Sequence, residues 1–265
     1  MNGIPAGGRI TMTLKAVLFD LGGTLLHYQD SREPDPRHPF RRVTMAGIGN
    51  IIGHLAANGH RLPPFEELGP IFDHHIGLAY RAAVSELRGG SIETPIRAAL
   101  AEIGVEVDEG SWAELRPLLY RAVDEIVSPR QGLRETLTAL QEAGFQMGIV
   151  SNTFWASDLH DRHLSRYDLM EFFPVRIYSC DMPFLKPHPA IFNTALERLG
   201  VLPEEAVYVG DRPDVDVAGA QKAGMRGVLI RSPYRLEEPD GVEPDAVINE
   251  LPELPPLLQA WQGRP

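Results

Sequence analysis

The sequence predicts an α/β fold: a parallel sheet with helices on its faces, interrupted after its first strand by a helical insertion. Three observations predict it. The apolar run Ala16-Val17-Leu18-Phe19 stops on Asp20 and breaks into Gly22 and Gly23, as a buried strand does on entering a turn. From Ser128 onward, short apolar runs alternate with segments of helical spacing, the pattern of βαβ units. Residues 28–127 instead carry helical patterns and few candidate strands.

Each element has its own signal. Residues 1–13 hold Gly3, Pro5, Gly7 and Gly8 without an apolar block, so they read as a frayed leader and not a signal peptide. In the insertion, Phe72, Ile76, Ala79, Tyr80, Ala83 and Leu87 lie at helical intervals. Its hinges are expected near Leu26–Asp30 and Ile126–Gln131, with a proline-rich segment over Glu33–Pro39. Leu133, Leu137 and Leu140 predict a helix that stops at Gly144. Phe145–Val150 is the next strand, followed by Ser151-Asn152-Thr153. A helix then ends near Tyr167, and Val175–Ser179 reads as a strand. Lys186-Pro187-His188-Pro189 opens a helix with Ile191, Ala195, Leu196 and Leu199 on one face and Gly200 as its stop. Ala206–Val209 is a strand running into Gly210-Asp211. Ala218–Ala223 is a short helix, and Gly227–Ile230 and Ala246–Ile248 are the last strands. Glu237–Pro244 reads as an acidic surface loop and Leu251–Leu258 as a short amphipathic terminus.

Composition narrows the function. The 265 residues are 43% hydrophobic and 23% charged, with a formal net charge of -11. An acidic chain argues against a nucleic-acid partner, which needs a basic face. No apolar stretch approaches the roughly 20 residues that span a bilayer, so no membrane partner is expected. Cys180 is the single cysteine and reads as a small apolar strand residue; a chain that cannot form an internal disulfide points to a reducing, cytoplasmic setting.

The polar residues at strand ends carry the chemistry. In an open α/β sheet the carboxyl ends of the strands face the ligand crevice. Asp20, Ser151, Lys186 and Asp211 with Asp216 fall at such ends or at the helix that follows. Asp20 alone reads as an Asx cap or as a nucleophile. Together, these groups supply a nucleophile, a hydroxyl, a cation and two more carboxylates. Oxygen-only donors suit Mg²⁺, and the set as a whole suits phosphoryl transfer through an aspartyl intermediate.

Four segments resemble, in order, the motifs of the haloacid dehalogenase superfamily. Phe19-Asp-Leu-Gly-Gly-Thr-Leu25 is similar to its first motif and Ile149-Val-Ser-Asn-Thr153 to its second. Lys186-Pro-His-Pro189 is similar to the third, and Val209-Gly-Asp-Arg-Pro-Asp-Val-Asp-Val-Ala-Gly-Ala220 to the fourth. The resemblance implies a Rossmann-like core over 14–27 and 128–250, a helical C1 cap over 28–127 and a tail over 251–265. It implies Asp20 and Lys186 as catalytic residues, and Ser151, Asn152 and Lys186 as contacts to the phosphoryl group of a small phosphorylated metabolite. Mg²⁺ would be held by Asp20, the Gly22 carbonyl, Asp211 and Asp216. Asp216 also reads as a solvated helix cap, and Asp214 as a surface residue.

One departure limits the resemblance. Phosphatases of this superfamily carry an acid/base Asp two residues after the nucleophile, and here that residue is Gly22. Losing such a group costs about 10²–10⁴-fold in rate. His27, Asp30, Asp73, His74 and His75 are candidates to replace it; His160 and His163 read as a solvated helix face. Three functions follow: a Mg²⁺-dependent phosphatase, a catalytically impaired binding or regulatory relative, and a 2-haloacid dehalogenase. Dehalogenases of the superfamily usually dispense with Mg²⁺, so the acidic fourth motif speaks against the last. A Schiff-base mechanism needs a lysine in the cap, and Lys15, Lys186 and Lys222 all lie outside the insertion.

Overall fold

The computed structural model describes residues 13–28, 41–232 and 241–262. Asp30, Glu33–Pro39 and most of the leader lie outside them, as does the first half of the 237–244 loop. Six strands form one parallel sheet: β1 (Ala16–Phe19), β4 (Gln146–Ser151), β5 (Val175–Tyr178), β6 (Ala206–Gly210), β7 (Arg226–Ile230) and β8 (Ala246–Ile248). Their spatial order is β5-β4-β1-β6-β7-β8, with β1 at the centre where the order reverses. That is where an open α/β sheet binds its ligand.

Alternation along β1 sends its side chains to two cores. Val17 and Phe19 join Met147, Ile149, Val207 and Val209 on one face. Ala16 and Leu18 join Val150, Tyr208 and the apolar side of helix α7 (Pro189–Leu199) on the other. Helix α5 (Leu133–Glu142) covers the first face through Leu133, Leu137 and Leu140. Gly144 follows it at φ 84°, a left-handed stop that glycine adopts without strain. The second predicted helix of this half is α6 (Ser157–Arg166).

The expected hinges are paired strands. β2 (Leu26–Tyr28) and β3 (Val127–Pro129) run antiparallel, with His27 opposite Ser128. Between them lie α1 (Arg41–Ala57), α2 (Phe65–Ser85), α3 (Glu93–Glu102) and α4 (Glu109–Asp124). Buried Ile48, Ile51, Leu68, Phe72, Ile96, Trp112 and Leu119 hold these helices together. Gly47 lets α1 cross α4 closely, since a Cβ there would stand 2.4 Å from the Leu119 carbonyl oxygen. After β6 the chain makes a π-turn over Pro213–Val217 before the short α8 (Ala218–Lys222). The terminal α9 (Leu254–Gln262) buries Leu254 and Leu258. Cys180 sits in a 3₁₀ turn just after β5 and not in the strand. No described helix is long and apolar enough to cross a membrane.

Candidate active site

Parallel pairing brings the polar strand ends to one edge. Phe19 is in register with Ile149 on one side and Val209 on the other. Asp20, Ser151 and Asp211, each just past those positions, therefore share the carboxyl edge of the sheet. The Asp20 amide donates to the Val209 carbonyl at 2.9 Å, which holds the carboxylate at the end of its strand. Asp20, Asp211 and Asp216 each offer an oxygen within 4.8 Å of the others, and all three are buried.

Lys186 ties this cluster together. Its Nζ donates to Asp20 Oδ1, Asp216 Oδ1 and the Tyr208 hydroxyl, each at 2.7 Å. Tyr208 in turn donates to the Val150 carbonyl at 2.6 Å. Burial works to lower the Lys186 pKa, but Asp20 and then Asp216 outweigh it and hold it above the usual range. The amine stays charged. Asp20 is pushed up by burial and by Asp216, with Lys186 pulling the other way. Buried carboxylates are costly unless cations pair with them, and Lys186 is shared between two of these three. The three oxygen donors, close together and buried, fit a divalent ion such as Mg²⁺.

Glycines make the cluster possible. A Cβ on Gly23 would stand 2.5 Å from Asp211 Oδ2, and one on Gly210 would stand 2.4 Å from Asp216 Oδ2. The π-turn aims Asp216 inward, where its Oδ2 accepts from the Arg212 amide at 2.9 Å. Asp216 is thus a cap as well as a cluster member, but it is 1% exposed, not solvated. Asp214 is the surface residue, paired with Arg212 at 3.0 Å.

The second motif is braced from both sides. Ser151 Oγ donates to Asp20 Oδ1 at 3.1 Å. Asn152 clamps the third motif: its Nδ2 donates to the Lys186 carbonyl at 2.8 Å, and its Oδ1 accepts from the Lys186 amide at 2.7 Å. Asn152 therefore reaches the lysine's backbone and sets where Nζ arrives.

A model of the haloacid dehalogenase-like hydrolases matches residues 14–224. The chain belongs to that family. A glyceraldehyde 3-phosphate phosphatase of Methanopyrus kandleri is 32% identical over 244 residues, covering 91% of this chain and 95% of that one. The pyrophosphatase PpaX of Bacillus mycoides is 25% identical over 253 residues, covering 95% and 100%. Among solved structures, the 2-haloacid dehalogenase of Pseudomonas syringae pv. tomato superposes with a TM-score of 0.67 at 27% identity, over 94% of this chain and 100% of that one.

In this haloacid dehalogenase-like hydrolase the helical insertion is seated on the strand-end loops. The Leu87 carbonyl accepts from the Leu185 amide at 3.1 Å, and the Ile92 amide donates to the Phe154 carbonyl at 2.6 Å. A Cβ on Gly89 would stand 2.0 Å from the carbonyl oxygens of Ser179 and Met182. Tyr80 of α2 meets Phe154 edge-on, with ring centroids 6.0 Å apart.

The candidate replacement acids fall elsewhere. Asp73 pairs with Arg41, His75 pairs with Glu102 at 2.7 Å, and His74 packs on His75. His27 alternates with Leu26 and Tyr28 along β2, so it leaves the strand on the face opposite Tyr28. Burial lowers its pKa first, and the Arg130 charge lowers it further. Asp30 lies outside the described residues.

His160 and His163 overturn their expected exposure. Both are buried, because the ribbon of β2 and β3 packs Tyr28 onto their face of α6. The Tyr28 hydroxyl lies 3.2 Å from Nδ1 of each. His160 Nε2 meets Thr153 Oγ1 at 2.6 Å, and His163 Nε2 meets Asp124 Oδ1 at 2.9 Å. Burial, then the neighbouring His163, holds His160 down at about 3. Their i, i+3 spacing was the available signal, but it is equally the spacing of a wet helix face.

Arg130 was missed entirely. Its guanidinium is buried and donates to the carbonyls of Gly23 (3.0 Å), Arg231 (2.6 Å) and Asn249 (2.8 Å), which ties the first-motif turn to the ends of β7 and β8. Cys180 is held as a thiol, its pKa pushed up to about 12 by burial and by Asp181.

Proposed function

We propose that this hydrolase is a Mg²⁺-dependent phosphatase acting on a small phosphorylated metabolite through an aspartyl phosphate on Asp20. The observation that carries it is the buried cluster of Asp20, Asp211 and Asp216, whose oxygens lie within reach of one divalent cation, with Lys186 bonded to the first and the last. The phosphatase names of the two relatives support the same reading.

Asp20, Asp211 and Asp216, with the Gly22 carbonyl, would hold the ion. Bound there, it would neutralise the phosphoryl oxygens and align the group with the nucleophile. Asp20 attacks phosphorus through a carboxylate oxygen. Lys186, kept charged by its two carboxylates, offsets charge gathering on the transferring group. Ser151 donates to a phosphoryl oxygen, and Asn152 keeps Lys186 in place through its backbone. Helices α1–α4 act as the cap over residues 28–127, closing on the crevice through the Leu87–Ile92 segment and excluding water during transfer. The protein acts in a reducing, cytoplasmic setting, in keeping with its single cysteine.

The test is hydrolysis of p-nitrophenyl phosphate, whose phenolate leaves without a proton, with Mg²⁺ and with excess chelator. Turnover that needs Mg²⁺ supports the reading; undiminished turnover in chelator removes it. Gly22 favours one other reading, a binding or regulatory protein with a weakened site. Mg²⁺ binding without turnover of any phosphorylated compound would establish that instead. The likeness to a 2-haloacid dehalogenase is tested by release of chloride from a 2-chloroacid, which we expect not to occur.

A further inference from the structure

We infer that this site takes substrates whose leaving group departs as a stable anion, phosphoric anhydrides and acyl phosphates, in preference to alkyl phosphate esters. The inference rests on the phosphatase reading and names its substrate class. It starts from what stands beside Gly22. A Cβ on that residue would meet Tyr28 Cδ2 at 3.6 Å and Cε2 at 3.8 Å. The place where a side chain at position 22 would enter the crevice is therefore walled by aromatic carbon.

Three hydrogen-bonding groups beside Asp20 and Gly22 are engaged elsewhere. The Tyr28 hydroxyl is held between His160 and His163, which are bound in turn to Thr153 and Asp124. The Lys186 ammonium has three hydrogens, and Asp20, Asp216 and Tyr208 take all three. Ser151 Oγ donates to Asp20 itself. Lys186 and Ser151 thus hold the nucleophile and Tyr28 is bound to the histidines, so none of the three is placed to protonate the departing oxygen.

The chemistry then selects the substrate. As Asp20 forms its bond to phosphorus, the bond to the leaving oxygen breaks and that oxygen keeps the electron pair. An alkoxide is far too basic to leave this way without a proton. The phosphate released from an anhydride, or the carboxylate released from an acyl phosphate, is stable as the free anion. The aspartyl phosphate is itself an acyl phosphate, so its hydrolysis obeys the same rule. Water adds to phosphorus and loses its proton to solvent, and the Asp20 carboxylate leaves with the electron pair. Both steps balance without an acid at position 22.

The experiment compares kcat/KM of the full chain, with Mg²⁺, for inorganic pyrophosphate, acetyl phosphate and glycerol phosphate. The anhydride and the acyl phosphate should exceed the alkyl ester by at least about 10²-fold. Along a series of aryl phosphates, kcat/KM should fall steeply as the leaving phenol becomes more basic. Equal rates for ester and anhydride would overturn the inference while leaving the phosphatase reading intact. No turnover of any of these, with no phosphate retained on Asp20 after quenching, would remove both. Tyr28→Phe keeps the carbon wall and deletes only the hydroxyl. Its ratio of alkyl to anhydride rates should match wild type, and a loss confined to the alkyl ester would identify Tyr28 as the acid and overturn the proposal.

Discussion

Two buried polar clusters lie on either side of Gly22, and opposite physics holds them. One gathers the carboxylates of Asp20, Asp211 and Asp216 beside Lys186. The other links Asp124, His163, Tyr28, His160 and Thr153 in a chain of hydrogen bonds whose imidazoles burial keeps neutral. Buried charge is expensive even when paired, so carboxylates gathered this closely suit a ligand more than they serve stability. The second satisfies its polar atoms internally and pins the ribbon of β2 and β3 to α6. The contrast teaches that burial of polar groups is not itself a sign of catalysis. What separates the two is that the first gathers carboxylates within reach of one cation and the second is built on neutral imidazoles.

That contrast can be broken in four ways. Asp20→Asn should cut turnover of p-nitrophenyl phosphate by about 10⁴-fold or more without lowering the thermal midpoint, because it relieves the crowding of three buried carboxylates and leaves Lys186 its bond to Asp216. A folded variant that keeps its rate would show that the first cluster is not catalytic.

Lys186→Met strands Asp20 and Asp216 without their cation. Removing one partner of a buried pair costs about 3–5 kcal/mol, read by urea denaturation at neutral pH. Added Mg²⁺ should recover part of that loss. Unchanged stability would mean that the carboxylates are not charged together.

The second cluster should make the fold acid-sensitive. Burial lowers His163 against the opposing pull of Asp124, and burial lowers His160 to about 3 from an ordinary 6.5. The unfolded chain therefore binds protons that the folded one refuses. Stability is full above pH 6.5 and falls as the pH drops from there toward 3, by about 1.4 kcal/mol per pH unit for His160, with His163 adding to the loss in the same direction. Denaturation midpoints at pH 7.5 and 5.5 check this, and equal values would show that the imidazoles are solvated after all.

Tyr28→Phe is the mildest change. It deletes one hydroxyl shared by two histidines, and should cost about 1–3 kcal/mol of stability while p-nitrophenyl phosphate turnover stays within about tenfold. A larger kinetic loss would join the second cluster to the chemistry.

The first cluster was legible in the sequence and the second was not. Asp20, Ser151 and Asp211 follow apolar runs that can only be strands, and Lys186 opens a helix marked by Pro187 and Pro189. Asp216 was legible as a candidate for the cluster, but its burial depends on the π-turn over Pro213–Val217. His160 and His163 sit in Ser-Asp-Leu-His-Asp-Arg-His-Leu, where charged neighbours make the whole face look wet. Arg130 sits in a proline-flanked segment with nothing to mark its guanidinium as buried.

The sequence by itself determined the α/β class, the order of its elements and the gathering of four polar groups at one sheet edge. Periodicity is written in near neighbours, and parallel strands can only end on the same side. Tertiary structure alone decided which face of α6 is dry, where the three hydrogens of Lys186 go and what stands beside Gly22. Tyr28 meets His160 across 132 residues of chain, and a contact of that range is set by how the ribbon, the helices and the sheet fill space together. Local pattern carries no record of it.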